Sequence, residues 1–143
     1  MSSPVLLPVV RKVEHVDTDA SGVVHFARYA SLIETALLDN LERLGVGLGA
    51  LAAEGADLVV SELRLRYLAS ARYPDELSLE TAVDHVGAAR VRINGVVRRT
   101  ADGVELATGT LVLGLVDRSD GSARTLLPAL HHTLTEAGNH AAH

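Results

Sequence analysis

Cysteine is absent from the 143 residues, which excludes a disulfide framework, a thiolate nucleophile and cysteine-ligated zinc or iron–sulfur sites. That absence is compatible with a reducing cytoplasm. No uninterrupted apolar stretch approaches the length of a membrane-spanning helix, so no membrane partner is expected. There is no excess of basic residues either: 13 Lys and Arg face 18 Asp and Glu, a net charge of -5. This balance argues against a general nucleic-acid binder, because phosphate recognition needs a concentrated basic surface. The opening MSSPVLLPVV lacks a basic n-region and its short apolar run is broken by Pro8, so it does not read as a signal peptide. A cytoplasmic location is the expectation. Repeats, linkers and low-complexity tracts are also missing, and residues 1–143 read as one domain.

What is present is 48% hydrophobic residues, 22% charged ones and clear periodicity, the composition of a globular chain. Val9 to Val16 reads as a first strand, followed by a loop at DTDASG. From His25 to Leu44 the period changes: Phe26, Ala30, Ile33, Leu37, Leu41 and Leu44 recur at steps of three and four, one face of a long helix. Gly45 and Gly47 end it, and a short helical turn spans Ala50 to Glu54.

Strands then follow. Leu63, Leu65 and Tyr67 alternate with Glu62, Arg64 and Arg66; the turn ARYPDE leads to Leu77, Leu79, Thr81 and Val83; Gly87 separates these from Val91, Ile93 and Val97. Asp102-Gly103 is a hairpin signal, and Val104 to Val116 is apolar on both parities, as for a strand buried on both faces. Pro128 opens a short C-terminal helix, and the end, GNHAAH, reads as frayed. The class is α+β, one long helix covered by an antiparallel sheet. A chain this small can bury more apolar surface by dimerising.

The segment Asp17-Thr18-Asp19-Ala20-Ser21-Gly22, between strand and helix, admits three readings. A calcium loop fails, because its twelfth position is Arg28 rather than a bidentate glutamate and a strand precedes it. Helix capping by the aspartates and Ser21 is a purely structural role. The third is catalytic: a carboxylate beside a helix N-terminus, where free N–H groups can bind a developing oxyanion, suits acyl-group hydrolysis without a serine or cysteine nucleophile.

VDTDASGVVHFARY, with Glu34 on the following helix and LRYLASARYPDELSLET at Leu65 to Thr81, resembles the hotdog-fold thioesterases of the 4-hydroxybenzoyl-CoA thioesterase family, including its bacterial acyl-CoA thioesterase branch. The resemblance implies a hotdog fold, a long helix wrapped by a curved antiparallel sheet, assembled as a homodimer or homotetramer with the site at the subunit interface. It implies hydrolysis of an acyl or aroyl thioester carried by coenzyme A or by an acyl-carrier protein's phosphopantetheine, with no cofactor beyond the coenzyme A of the substrate. Asp19 matches the catalytic carboxylate, nucleophile or general base. Phe26 falls where a backbone N–H polarises the thioester carbonyl. Glu34 matches a helix glutamate with a supporting role, Gly22 lets the loop approach the ligand, and Asp17 and Thr18 fix the loop. Asp17, Gly22, His25, Tyr29 and Arg72 complete the expected substrate-binding set.

One departure stands out: the acyl-CoA branch usually carries Tyr-His where this chain has His25-Phe26, so an imidazole is missing from its expected place. Phe26 can instead shape an apolar acyl or aryl pocket, and His25, one residue earlier on the expected helix, would point elsewhere. That departure keeps a non-catalytic acyl-thioester binding protein in play beside a hotdog hydratase or dehydratase. Arg64, Arg66, Arg72, Arg90, Arg92, Arg98 and Arg99 could contact coenzyme A phosphates or simply form a solvated sheet face. His131 and His132 are adjacent, and His140 and His143 lie in the tail, so no metal site is expected.

Overall fold

The computed structural model describes residues 5–141. In chain order it contains β1 (Val9–Lys12), a 3-10 turn (His15–Asp17), α1 (Arg28–Arg43), α2 (Leu48–Ala53), β2 (Ala56–Tyr67), β3 (Glu76–Val86), β4 (Arg90–Arg99), β5 (Glu105–Asp117), β6 (Ala123–Arg124) and α3 (Pro128–Ala141). The strands form one antiparallel sheet in the order β1-β3-β4-β5-β2, with β6 paired to β5. No helix among the described residues is long and apolar enough to cross a membrane.

Period-2 alternation sets the buried face. Across the register, Leu79 of β3 stands opposite Val97 of β4, which faces Ala107 of β5; Val91 and Ile93 face Leu113 and Leu111. All of these are buried. Against this face lies α1, whose buried residues Tyr29, Leu32, Ile33, Ala36, Leu37, Asn40 and Leu41 follow the three-and-four spacing. Gly95 and Gly109 stand opposite each other on the two central strands, and Ile33 fills the notch they leave. Bulges after Val60, Val83 and Val97 bend the strands, giving the curvature with which the sheet wraps the helix.

The ends of α1 differ from expectation at one side only. Its C-terminus is closed by Gly45 at φ +81°, with Gly45 N–H donating to Glu42 C=O and Val46 N–H to Leu41 C=O, the paired bonds of a left-handed glycine cap. Its N-terminus lies at Arg28, three residues later than the apolar period suggests, so His25 sits in the approach to the helix and not on it. The first strand is likewise shorter than Val9–Val16, because Asp17 pulls the following residues into the 3-10 turn. β2 begins at Ala56, well before Leu63, and α2 begins at Leu48 rather than Ala50. β5 buries both Leu106 and Ala107 at its bulge; beyond them only Leu111, Leu113 and Leu115 are buried, and the other parity, including Val112 and Gly114, is half-buried. At 14 residues α3 is nearly as long as α1; Leu130, Leu134 and Ala137 are buried, and Gly138 lies over Val83 of β3. The helix thus absorbs the start of the segment expected to fray, whose last two residues lie outside the described range.

A buried amide ties the N-terminal segment to α1. Asn40, 2% exposed, accepts from Leu7 N–H at 2.7 Å and donates to Leu7 C=O at 3.0 Å and Ala36 C=O at 2.8 Å, while Arg43 donates to its Oδ1. Asn40→Leu keeps the branched outline but strands both Leu7 groups, and should cost about 2 kcal/mol in urea unfolding. An unchanged midpoint would show that the clamp adds nothing.

Candidate active site

The DTDASG loop closes on itself through two aspartates with different tasks. Asp19 Oδ1 accepts from Ser21 N–H at 2.9 Å, Ser21 Oγ at 2.7 Å and Val23 N–H at 3.2 Å, a side-chain turn that suits a short carboxylate. Its Oδ2 has no protein donor among the described residues. Gly22 completes the turn at φ +81°, where a side chain would be strained. The Ser21 hydroxyl, then the N–H groups of Val23 and Ser21, hold the exposed Asp19 carboxyl below its ordinary range, so it is ionised near neutrality.

Asp17 is buried, 1% exposed, and its carboxylate is fully engaged. Arg28 donates to Oδ1 at 2.7 Å and 3.0 Å, Arg11 at 3.1 Å, and Glu14 N–H donates to Oδ2 at 2.9 Å. Burial pushes the Asp17 carboxyl up, but the Glu14 N–H and the two guanidinium groups outweigh it and the net shift is downward. Neither aspartate caps α1 directly: the residue before the helix is Ala27, and the first turn has no acidic side chain. Asp17 reaches the helix start through Arg28, and its C=O accepts from His25 N–H at 3.0 Å.

The turn between β2 and β3 backs the loop. Val24 N–H donates to Ala71 C=O and Tyr73 N–H to Gly22 C=O, and Val23 bridges to Arg72. Between these segments and the start of α1 lies a pocket of about 430 Å³, lined by Asp19, Val23 to Phe26, Tyr29, and Tyr67 to Ser70. The N–H groups of Phe26 and Ala27 find no acceptor among the described residues, as expected just ahead of a helix. Phe26 is 71% exposed; its ring meets Tyr67 edge-on at 6.2 Å, and Tyr67 meets Tyr29 at 5.6 Å. Tyr67 Oη donates to Phe26 C=O at 2.9 Å, and Tyr29 Oη accepts from Ala71 N–H at 3.0 Å.

Of the residues singled out in the sequence, Asp19, His25, Phe26 and Tyr29 share this pocket. Gly22 and Arg72 belong to its supporting loop and turn, and Asp17 lies beneath it, its carboxylate already spent on Arg11, Arg28 and Glu14. Glu34 is on α1, outside the lining residues. Arg64 and Arg66 are exposed on the sheet's other face; Arg92 pairs there with Asp84, and Arg98 with Glu80 and Glu105. Sequence reasoning missed Tyr67, although its parity with Leu63 and Leu65 places it on the helix side of β2. It also missed Arg28, which stands out as a cation at the positive end of a helix.

Comparison with known proteins bears on the family and the fold. Residues 13–134 match the model of the thioesterase-like superfamily. The acyl-CoA thioester hydrolase YbgC of Escherichia coli is 36% identical over 72 residues, half of this chain and 54% of that protein. The DHNA-CoA thioesterase structure from Staphylococcus aureus superposes with a TM-score of 0.86 at 22% identity, covering 95% of this chain and 94% of the other. The structure of the hypothetical protein TT1821 from Thermus thermophilus gives 0.81 at 28% identity, with 90% and 96% covered. Helix, sheet order and matched family together place the chain, with its hotdog fold, in the thioesterase-like superfamily.

Proposed function

We propose that this protein hydrolyses an acyl or aroyl thioester of coenzyme A or of a carrier protein's phosphopantetheine at the pocket before α1. The observation that carries the reading is the presence in one pocket of an ionised carboxylate, Asp19, and of Phe26, whose N–H, like that of the adjoining Ala27, lacks a protein acceptor among the described residues. A thioester carbonyl set against those donors gains electrophilicity, and the tetrahedral oxyanion gains more than the ground state. Asp19 then acts in one of two ways. As nucleophile, it attacks the carbonyl carbon, expels the thiolate and forms a mixed anhydride that water cleaves. As general base, it takes a proton from the attacking water, and the collapsing intermediate expels the thiolate. Both routes release one thiol and one carboxylic acid.

Phe26, Tyr29 and Tyr67 give the pocket an aromatic wall suited to an apolar or aromatic acyl group. His25 is exposed at the rim, with Arg72 nearby in the supporting turn as a candidate phosphate contact and Glu34 as a supporting group on α1. A homodimer fits the same reading. Among the described residues β2 has a neighbour only on its β5 side, and along that strand Val59, Val60, Leu63 and Tyr67 are exposed. A second copy pairing there would cover apolar surface beside the pocket.

Binding is tested by adding a non-hydrolysable acyl-CoA analogue, its thioester sulfur replaced by methylene, to isotopically labelled protein. The amide signals of Val23 to Ala27 should move; shifts confined to other segments would overturn the placement. Because the Asp19 carboxyl is held low, the acid limb of kcat/KM should fall below the ordinary aspartate value of about 3.9, with activity lost as pH drops through it. An acid limb at pH 6 or above would assign the essential group elsewhere.

A further inference from the structure

Asp17 is the one nearly inaccessible carboxylate among the described residues, and it sits between the two ends of the loop that carries Asp19. Its side chain is 2% exposed, against 28% for Arg11 and 34% for Arg28. Three separate segments converge on it. Arg11 comes from β1, Glu14 N–H from the residue just ahead of the 3-10 turn, and Arg28 is the first residue of α1. On the main-chain side, Asp17 C=O accepts from His25 N–H. Everything between Asp17 and His25, Asp19 included, is therefore a closed loop whose ends are held at one residue.

An arginine in the first turn of a helix is electrostatically misplaced, since the helix N-terminus is already positive. No acidic residue in that turn offsets it. Arg28 spends two guanidinium donors, Nε and Nη2, on a single oxygen of Asp17. Such a charge-assisted double contact fixes the side chain and, through it, the orientation of the helix start. Arg11 makes the same carboxylate a joint between β1 and α1.

Building on the functional reading above, we infer that Arg28 is a positioning residue for catalysis. Acting through Asp17, it sets the spacing between the Asp19 carboxylate and the main-chain donors at Phe26 and Ala27, without touching substrate. Misplacing reacting groups by about 1 Å can cost on the order of 10²-fold in rate, so the effect should appear in kcat and not in binding.

The test compares the unmodified protein with Arg28→Met, Arg28→Lys and, as a control, the exposed Arg118→Met, on one acyl-CoA substrate, alongside amide hydrogen exchange. Arg28→Met should lower kcat about tenfold or more with KM within about twofold, and should speed exchange at His25 N–H. Arg28→Lys, which restores the charge but not the planar two-nitrogen fork, should recover most of both; Arg118→Met should change neither. Unfolding curves in urea restrict the comparison to variants folded at the assay temperature. Unaltered kcat and His25 exchange in Arg28→Met would overturn the inference, as would a loss that appears wholly in KM. Unmodified protein that releases no thiol would overturn the functional reading and, with it, a catalytic role for Arg28. Exchange at His25 would still report whether Arg28 holds the loop.

Discussion

Asp19→Asn is expected to lower kcat for thiol release by about 10²–10⁴-fold while leaving the folded structure in place. The substitution is conservative where the loop needs it. An asparagine oxygen can still accept from Ser21 N–H, Ser21 Oγ and Val23 N–H, so the turn around Gly22 survives. What disappears is the negative charge and the second carboxylate oxygen, which has no other task in the loop. Asp17→Asn should behave differently. It breaks the ionic contacts to Arg28 and Arg11 at a buried site, so lost activity should be accompanied by lost stability. Unfolding curves and rates measured on the same samples separate the two aspartates. Equal activity in Asp19→Asn and unmodified protein would remove Asp19 from the chemistry.

The largest effect on stability is expected at Gly95. A Cβ built there comes within 2.4 Å of Ile33 Cγ2 and 3.1 Å of its Cδ1 and Cγ1, so α1 can rest on the sheet only because this position and Gly109 are bare. Gly95→Val should cost about 3 kcal/mol, since both strand and helix are fixed by their neighbours. Ile33→Ala alone should cost about 3 kcal/mol by leaving a cavity. The double variant should lose clearly less than the sum, because each change relieves the other. Additive losses in thermal or urea unfolding would mean that the helix does not seat in this notch. The seating matters for function as well, since the same helix carries Tyr29 in the pocket wall and begins just after Phe26.

The parts of the fold that were legible in the sequence are those where one periodicity acts alone. The stripe from Ala30 to Leu41 locates α1, and the alternation at Leu77 to Val83 locates most of β3. Legibility fails where a tertiary contact overrides the pattern. Phe26 continues the helical period, yet Asp17 holds His25 N–H and Arg28 and so delays the helix. Val59, Val60 and Ser61 belong to β2, but the irregularity between Val60 and Glu62 shifts the parity there, hiding the first half of the strand. The site was legible to the same extent. Asp19 and the helix start stand out because turn residues adjoin a periodic segment. Tyr67 joins them from 41 residues away, through a hydroxyl bond to Phe26 C=O that no local pattern encodes.

The most direct measurement is release of free thiol by the unmodified protein from a panel of short, long and aromatic acyl-CoAs and from acyl-carrier-protein thioesters. The account predicts turnover of at least one of them at a rate that collapses in Asp19→Asn. Tight binding of a thioester with no thiol released from any member of the panel would contradict it and would make the pocket a binding site only.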